Sequence, residues 1–173
     1  TSAADGKGVF MKKTAIVTGS SRGIGFAIAK QLGLDGYNIV MVATGPQEKN
    51  QHALDELKAM GINCAYVQAH IGSADDRKKI LDGALAAFGR VDVLVNNAGI
   101  SYIGLLSDMS AEEWRRVMAT NLDSCFYTCR NAIPLMVHAK QGRIINISSV
   151  WGQAGASMET AYSASKGAVN SFT

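Results

Sequence analysis

Apolar positions along the chain follow two spacings that alternate. Ala15-Ile16-Val17, Ile39-Val40-Met41-Val42, Cys64-Ala65-Tyr66-Val67, Val91-Asp92-Val93-Leu94-Val95 and Arg143-Ile144-Ile145-Asn146-Ile147 are short, mostly apolar runs. Runs of that length without polar alternation predict strands buried on both faces. Between them apolar residues recur at helical steps. Ile24, Ala27, Ile28 and Leu32 stripe a helix over 25–34, which Gly36 closes. Leu54 and Leu57 face inward on a helix over 47–60 ended by Gly61, and a helix over 75–88 ends at Gly89. Asp75 and Asp76 suit the positive N-terminus of the latter. Ser110-Ala111-Glu112-Glu113 resembles a capping box and opens a long helix to about His138, with Pro134 expected to kink or end it. A last helix opens at Glu159. Strict alternation without hairpin signals predicts right-handed βαβ units, hence an α/β fold. The sheet is then parallel, doubly wound and covered by helices on both faces, with ligands bound at the carboxyl ends of its strands.

Composition narrows the picture. The 173 residues are 47% hydrophobic, enough for one domain with a real core. Residues 1–10 lack the apolar stretch of a signal peptide and read as an N-terminal extension or tag remnant, which leaves 11–173 as the domain. A net charge of +3 is too mild to argue for nucleic acid or an anionic membrane surface, and no apolar run is long enough to span a bilayer. Cys64, Cys125 and Cys129 form no metal-ligand spacing with the three histidines, so no metal is expected. An odd cysteine count without a secretory signal favours a reducing cytoplasm.

Two stretches carry chemistry. Thr18-Gly19-Ser20-Ser21-Arg22-Gly23-Ile24-Gly25 falls between the first strand and the first helix, where a phosphate-binding turn belongs. Gly19 permits the turn, Gly23 lets backbone approach a pyrophosphate, and Gly25 lets the helix pack on the strand; Ser21 and Ile24 complete the loop. A carboxylate at the end of the second strand would hold the ribose hydroxyls of NAD. Here stand Ala43-Thr44-Gly45-Pro46, with no acid before Glu48, and Arg22 can reach the same corner. A hydroxyl from Thr44 and a guanidinium from Arg22 suit a 2′-phosphate, so NADPH/NADP+ is the expected cofactor, ahead of NADH. The second stretch is Tyr162-Ser163-Ala164-Ser165-Lys166, whose tyrosine and lysine share one helix face. An ammonium beside a phenol favours the phenolate.

Four separated motifs, Thr18 to Gly25, Asn96-Asn97-Ala98-Gly99, Asn121, and Ser149 thirteen residues before Tyr162, resemble the short-chain dehydrogenase/reductase family from Lys12 to the end. The resemblance implies a Rossmann-type fold. It implies catalysis by Tyr162, Lys166, Ser149 and Asn121, with Asn121 holding a water that links Lys166 to solvent. Tyr162 and Lys166 would also touch the cofactor, and Asn96, Asn97, Ala98, Gly99 and the Ile71 backbone would line its adenosine side. Within the family the wording is similar to reductases of 3-oxoacyl carrier-protein thioesters. Ile100 to Leu106 with Val150-Trp151-Gly152 is also similar to reductases of the 5-aminopentanone group on modified elongation factor P. A sugar or polyol dehydrogenase and a non-catalytic nucleotide sensor are the other readings. Tyr102, Trp151, Gln153 and Met158 are the expected substrate lining. His70 stands where the family usually has aspartate. The family also implies a homotetramer or dimer built on the long and last helices, and further strands and a lid after Thr173.

Overall fold

A computed structural model describes residues 11–173; the extension assigned to residues 1–10 lies outside them. Its five strands are β1 (Thr14–Thr18), β2 (Asn38–Ala43), β3 (Cys64–Gln68), β4 (Val93–Asn96) and β5 (Arg143–Asn146). All pair in parallel, in the order β3-β2-β1-β4-β5. Every residue of β1 and β2 is buried, which is why their sequences lack polar alternation. Alternate residues face opposite layers. Ala15, Val17, Ile39, Met41, Val93 and Val95 pack with Ala29 of α1 (Gly23–Leu34) and Leu54 and Leu57 of α2 (Gln51–Ala59). Ile16, Val40, Val42 and Leu94 pack with Ile80 and Ala84 of α3 (Ala74–Phe88) and Ala132 and Met136 of α5 (Ser124–His138). Each fully buried Leu or Ile contributes roughly 2 kcal/mol of transfer free energy. The strand order reverses between β1 and β4, so the chain diverges there and opens a crevice at the carboxyl ends.

Two helices differ from the sequence expectation. The helix over 47–60 begins as a 3₁₀ turn (Gln47–Asn50), and α2 proper starts at Gln51. Asn50 causes this, because its side-chain amide turns back to Pro46 O at 3.2 Å and its backbone leaves the helical region at φ −114°. The long helix is split into α4 (Ala111–Met118) and α5 by a π-helical turn (Ala119–Asp123). The capping box is present: Ser110 Oγ accepts from Glu113 N at 3.1 Å, and Glu113 Oε2 accepts from Ser110 N at 3.1 Å. Pro134 does not end α5, which runs on to His138. It lies on the exposed face beside Arg130, so water can take the carbonyl that proline leaves without an N–H. α6 (Thr160–Phe172) packs on α4 and the π turn.

Candidate active site

A cleft of about 610 Å³ opens over the carboxyl ends of β1, β2 and β4. Gly19, Ser21, Arg22, Gly23, Ile24, Gly25, Thr44, Ile71, Asn97, Ala98 and Gly99 all line it. The glycine turn is built tightly: a Cβ on Gly25 would come within 2.3 Å of Gly19 O. Neighbouring strands brace the turn. Thr18 Oγ1 accepts from Asn97 N and Ala98 N, each at 3.0 Å, and Asn97 Nδ2 donates to Thr18 O at 2.9 Å. Ser20 exchanges two bonds with the β2 backbone, N–H to Val42 O at 3.1 Å and Oγ from Val42 N at 3.0 Å. Asn97 and Ser20 therefore spend their side chains on the loop's shape.

The lining suits a nucleotide carrying several phosphates. Gly23, at φ +59°, has open space where a Cβ would stand. No side chain caps the start of α1 and no acid stands in its first turn, which leaves N–H groups for an anion. Arg22, Lys49 and Arg116 line the cleft, and no Asp or Glu does so among the described residues.

Asn121 and Lys166 meet the cleft at Gly99. A Cβ there would lie 3.4 Å from Asn121 Oδ1 and 3.5 Å from Lys166 Nζ, so both groups crowd the end of the pocket. Lys166 is 4% exposed, and its Nζ donates to Ile147 O at 2.6 Å. Burial holds its ammonium below the ordinary lysine value, with the Cys125 thiol pulling weakly the other way. Nζ stands 5.8 Å from the centre of the half-buried Tyr162 ring. Asn121 sits in the π turn, fully buried. Its Nδ2 donates to Ile100 O and Ser165 Oγ, and its Oδ1 accepts from Ile100 N, all at 2.9 Å. The amide thereby clamps the Ile100 loop to α6. The carbonyls that the π turn releases are taken by side chains, Ser124 Oγ to Thr120 O at 2.6 Å and Cys125 Sγ to Asn121 O at 3.3 Å.

Ser149 heads a 3₁₀ turn (Val150–Gly152), and its Oγ accepts from Trp151 N at 3.2 Å. Ser148 Oγ instead donates to Lys166 O at 3.0 Å, so its proton is spent on α6. Gly152 lets this turn lie flat on α6, since a Cβ there would meet Lys166 C at 2.6 Å. Asn96 departs from its expected place on the adenosine side. It is buried, and bonds Thr128 Oγ1 at 2.7 Å and Asn146 Oδ1 at 2.8 Å. Tyr102, Trp151 and Gln153 do not line the cleft. Tyr102 covers the Gly104 backbone, while Trp151 and Gln153 are exposed beside the Ser149 turn. Met158 holds a left-handed φ of 61°, and its carbonyl accepts from Gly104 N at 2.9 Å. His70 lines the cleft, and its N–H donates to Asp76 Oδ2 at 2.9 Å. Lys49, Asn50, Arg116 and Thr120 line the cleft without having been singled out from the sequence. No local motif in the sequence marks them. No described helix is long and apolar enough to cross a membrane, and the described residues hold no His, Cys, Asp and Glu group able to bind a metal.

A doubly wound parallel sheet with a braced glycine turn facing a Tyr–Lys helix defines a nucleotide-dependent oxidoreductase class. The chain belongs to the short chain dehydrogenase family, whose profile matches residues 13–173. It is 42% identical over 163 residues to a 3-oxoacyl-[acyl-carrier-protein] reductase FabG of Staphylococcus aureus, covering 94% of this chain and 66% of that protein. It is 39% identical to a D-beta-hydroxybutyrate dehydrogenase of Rhizobium meliloti, covering 94% of this chain and 64% of that one. Its fold matches a metagenomic short-chain oxidoreductase crystallised with NADP at TM-score 0.88 and 39% identity, over 94% of this chain and 74% of that one. The chain thus spans about two-thirds of the length of the curated relatives it matches.

Proposed function

We propose that this chain carries the cofactor-binding and catalytic parts of an NADPH-dependent reductase that converts a carbonyl, here a 3-oxoacyl thioester, to an alcohol. The observation that carries the reading is the approach to Gly99: the buried Lys166 ammonium, 5.8 Å from the centre of the Tyr162 ring, stands against Gly99 of a cleft lined by cations, with no Asp or Glu in that lining among the described residues. When bound, the nicotinamide cofactor supplies the hydride. Tyr162 gives its proton to the carbonyl oxygen in reduction and takes it in oxidation. The Ser149 oxygen already accepts from Trp151 N, so its own proton is free to donate to the same carbonyl, where negative charge grows. Ile147 O fixes Lys166, which keeps positive charge beside the Tyr162 ring and reaches the nicotinamide ribose. Gly19, Ser21, Arg22, Gly23, Ile24 and Gly25 hold the pyrophosphate, Arg22 and Thr44 the 2′-phosphate, and Ile71, Asn97, Ala98 and Gly99 the adenosine side.

The likeness to the Staphylococcus reductase supports the thioester substrate. The likeness to the Rhizobium dehydrogenase supports a second reading, oxidation of a short hydroxy acid. Incubating the full chain with acetoacetyl thioester, 3-hydroxybutyrate and simple sugars, each with both cofactor pairs, separates these. Thioester reduction with NADPH is expected to be fastest, and Tyr162→Phe is expected to slow it by about 10²–10⁴-fold. A Tyr162→Phe variant as fast as the parent overturns the catalytic assignment. A homotetramer in the cytoplasm fits the same reading, and exposed Phe126, Ile133 and Val137 on one face of α5 support the assembly. Light scattering on the purified chain tests it.

A further inference from the structure

The loop after β2 carries a second cation that the Arg22–Thr44 pair does not account for. Lys49 lines the cleft from the 3₁₀ turn Gln47–Asn50, and Ser21, Arg22, Thr44 and Gly45 line the same cleft. Glu48, its neighbour in sequence, is not part of the lining. The turn is pinned from β3. Tyr66 Oη donates to Gly45 O and accepts from Asn50 Nδ2, the latter at 2.8 Å. Asn50 Nδ2 also donates to Pro46 O at 3.2 Å, and Lys49 N donates to the same carbonyl at 3.2 Å. A Cβ on Gly45 would approach Asn50 Nδ2 to 3.1 Å, so the loop is drawn close around this amide. Burial pushes the Tyr66 phenol up, Asn50 opposes, and Glu48 adds to the rise, so the hydroxyl stays a donor to Gly45.

We propose that Lys49 is a second cationic arm for the adenosine 2′-phosphate, and that the Tyr66–Asn50 pair is the positioning device that aims it. The inference rests on the NADPH reading above and adds residues to it. A lysine on a fixed turn loses less freedom on binding than one on a mobile loop, so more of its attraction for phosphate survives as affinity. The two roles separate in the ligand: the 2′-phosphate is present in NADP+ and absent from NAD+, while the rest of the contacts are shared.

Calorimetric titration of the full chain with NADP+ and with NAD+ tests this without turnover. Lys49→Met is expected to weaken NADP+ about tenfold and leave NAD+ unchanged, with Lys49→Arg restoring most of the loss. Tyr66→Phe is expected to weaken NADP+ about threefold, again with NAD+ unchanged; a variant that merely loosened the fold would weaken both. An unchanged NADP+ to NAD+ ratio in Lys49→Met, while Arg22→Ala still lowers it, overturns the inference and leaves the cofactor reading standing. A parent chain that binds both equally overturns the two together. A Tyr66→Phe ratio equal to the parent's overturns the positioning role alone.

Discussion

The two ends of the one sheet treat charge in opposite ways. At the amino ends, Asp92 is 4% exposed, and every partner it needs comes from the protein. Its carboxylate accepts from Thr14 N at 2.8 Å, Gln141 Nε2 at 2.8 Å, and Arg90 Nε and Nη2 at 2.8 and 2.6 Å. Burial pushes this carboxyl up, the donors from Arg90, Thr14 and Gln141 outweigh it, and the net result lies below the ordinary carboxylate range. At the carboxyl ends Lys166 is equally buried, yet its described hydrogen bond goes to a carbonyl, Ile147 O, and burial holds it below the ordinary lysine value. Arg22, Lys49 and Arg116 stand nearby with no carboxylate lining their cleft among the described residues. A charge whose partners are all supplied by the fold serves the fold. A charge left short of partners is held for something that arrives.

That contrast breaks most visibly at Lys166. Lys166→Met is expected to lower carbonyl reduction by about 10²–10⁴-fold while leaving the fold intact. The sign with pH follows from the depressed lysine value. The folded state binds fewer protons than the unfolded one between that value and the ordinary one. The parent therefore carries the full burial cost below this window and gains stability relative to the variant as pH rises through it. Urea midpoints of both proteins from neutral pH into the ordinary lysine range check this, and a pH-independent difference would contradict it.

Asp92→Ala sharpens the other side. It leaves Arg90, Gln141 and Thr14 N without their acceptor and is expected to cost about 3 kcal/mol of stability, with NADP+ affinity unchanged. The Asp92 contribution is present above the ordinary carboxylate range and lost as pH falls through its depressed value, so parent and variant should converge in acid. Equal midpoints of the two at neutral pH would show that the network holds nothing together. Gly25→Ala acts on the site end through shape. Its methyl group would meet Gly19 O at 2.3 Å, so roughly 1–3 kcal/mol of stability and most nucleotide affinity should go together. Calorimetry beside a thermal melt reads both, and intact binding would mean that the turn has slack. The smallest effect is at Met158. Replacing it by glycine removes the cost of its left-handed φ but adds chain entropy to the unfolded state, a net gain of roughly 0.5 kcal/mol. A lowered melting temperature for Met158→Gly would mean that the side chain contributes packing that outweighs the strain.

Much of this site was legible in order along the chain. The glycine turn, Thr44, Ile71 and the Asn97–Gly99 segment line one cleft, as their positions after strands imply. Lys166 and Asn121 meet at Gly99. What failed were inferences about where side chains spend their hydrogen bonds. Asn96 was placed toward adenosine, but alternation along β4 turns it into the layer of Thr128, where a buried amide must find partners. Asn121 was expected within a continuous helix, whereas one extra residue makes a π turn and aims its amide at Ile100. Pro134 looked like the break, but an exposed carbonyl next to water makes it tolerable.

The sequence by itself determined the alternation of strands and helices, the parallel sheet, the phosphate-binding turn and the shared face of Tyr162 and Lys166. Each is set by a backbone repeat or by a residue's own steric limits, which act over a few neighbours. Only the tertiary structure decided that Lys49 and Arg116 share a cleft with Arg22, that Tyr66 governs the loop after β2, and that Asp92 closes the far end of the sheet. Those contacts join residues on different strands and helices, and their meeting depends on strand order and on which face each residue takes.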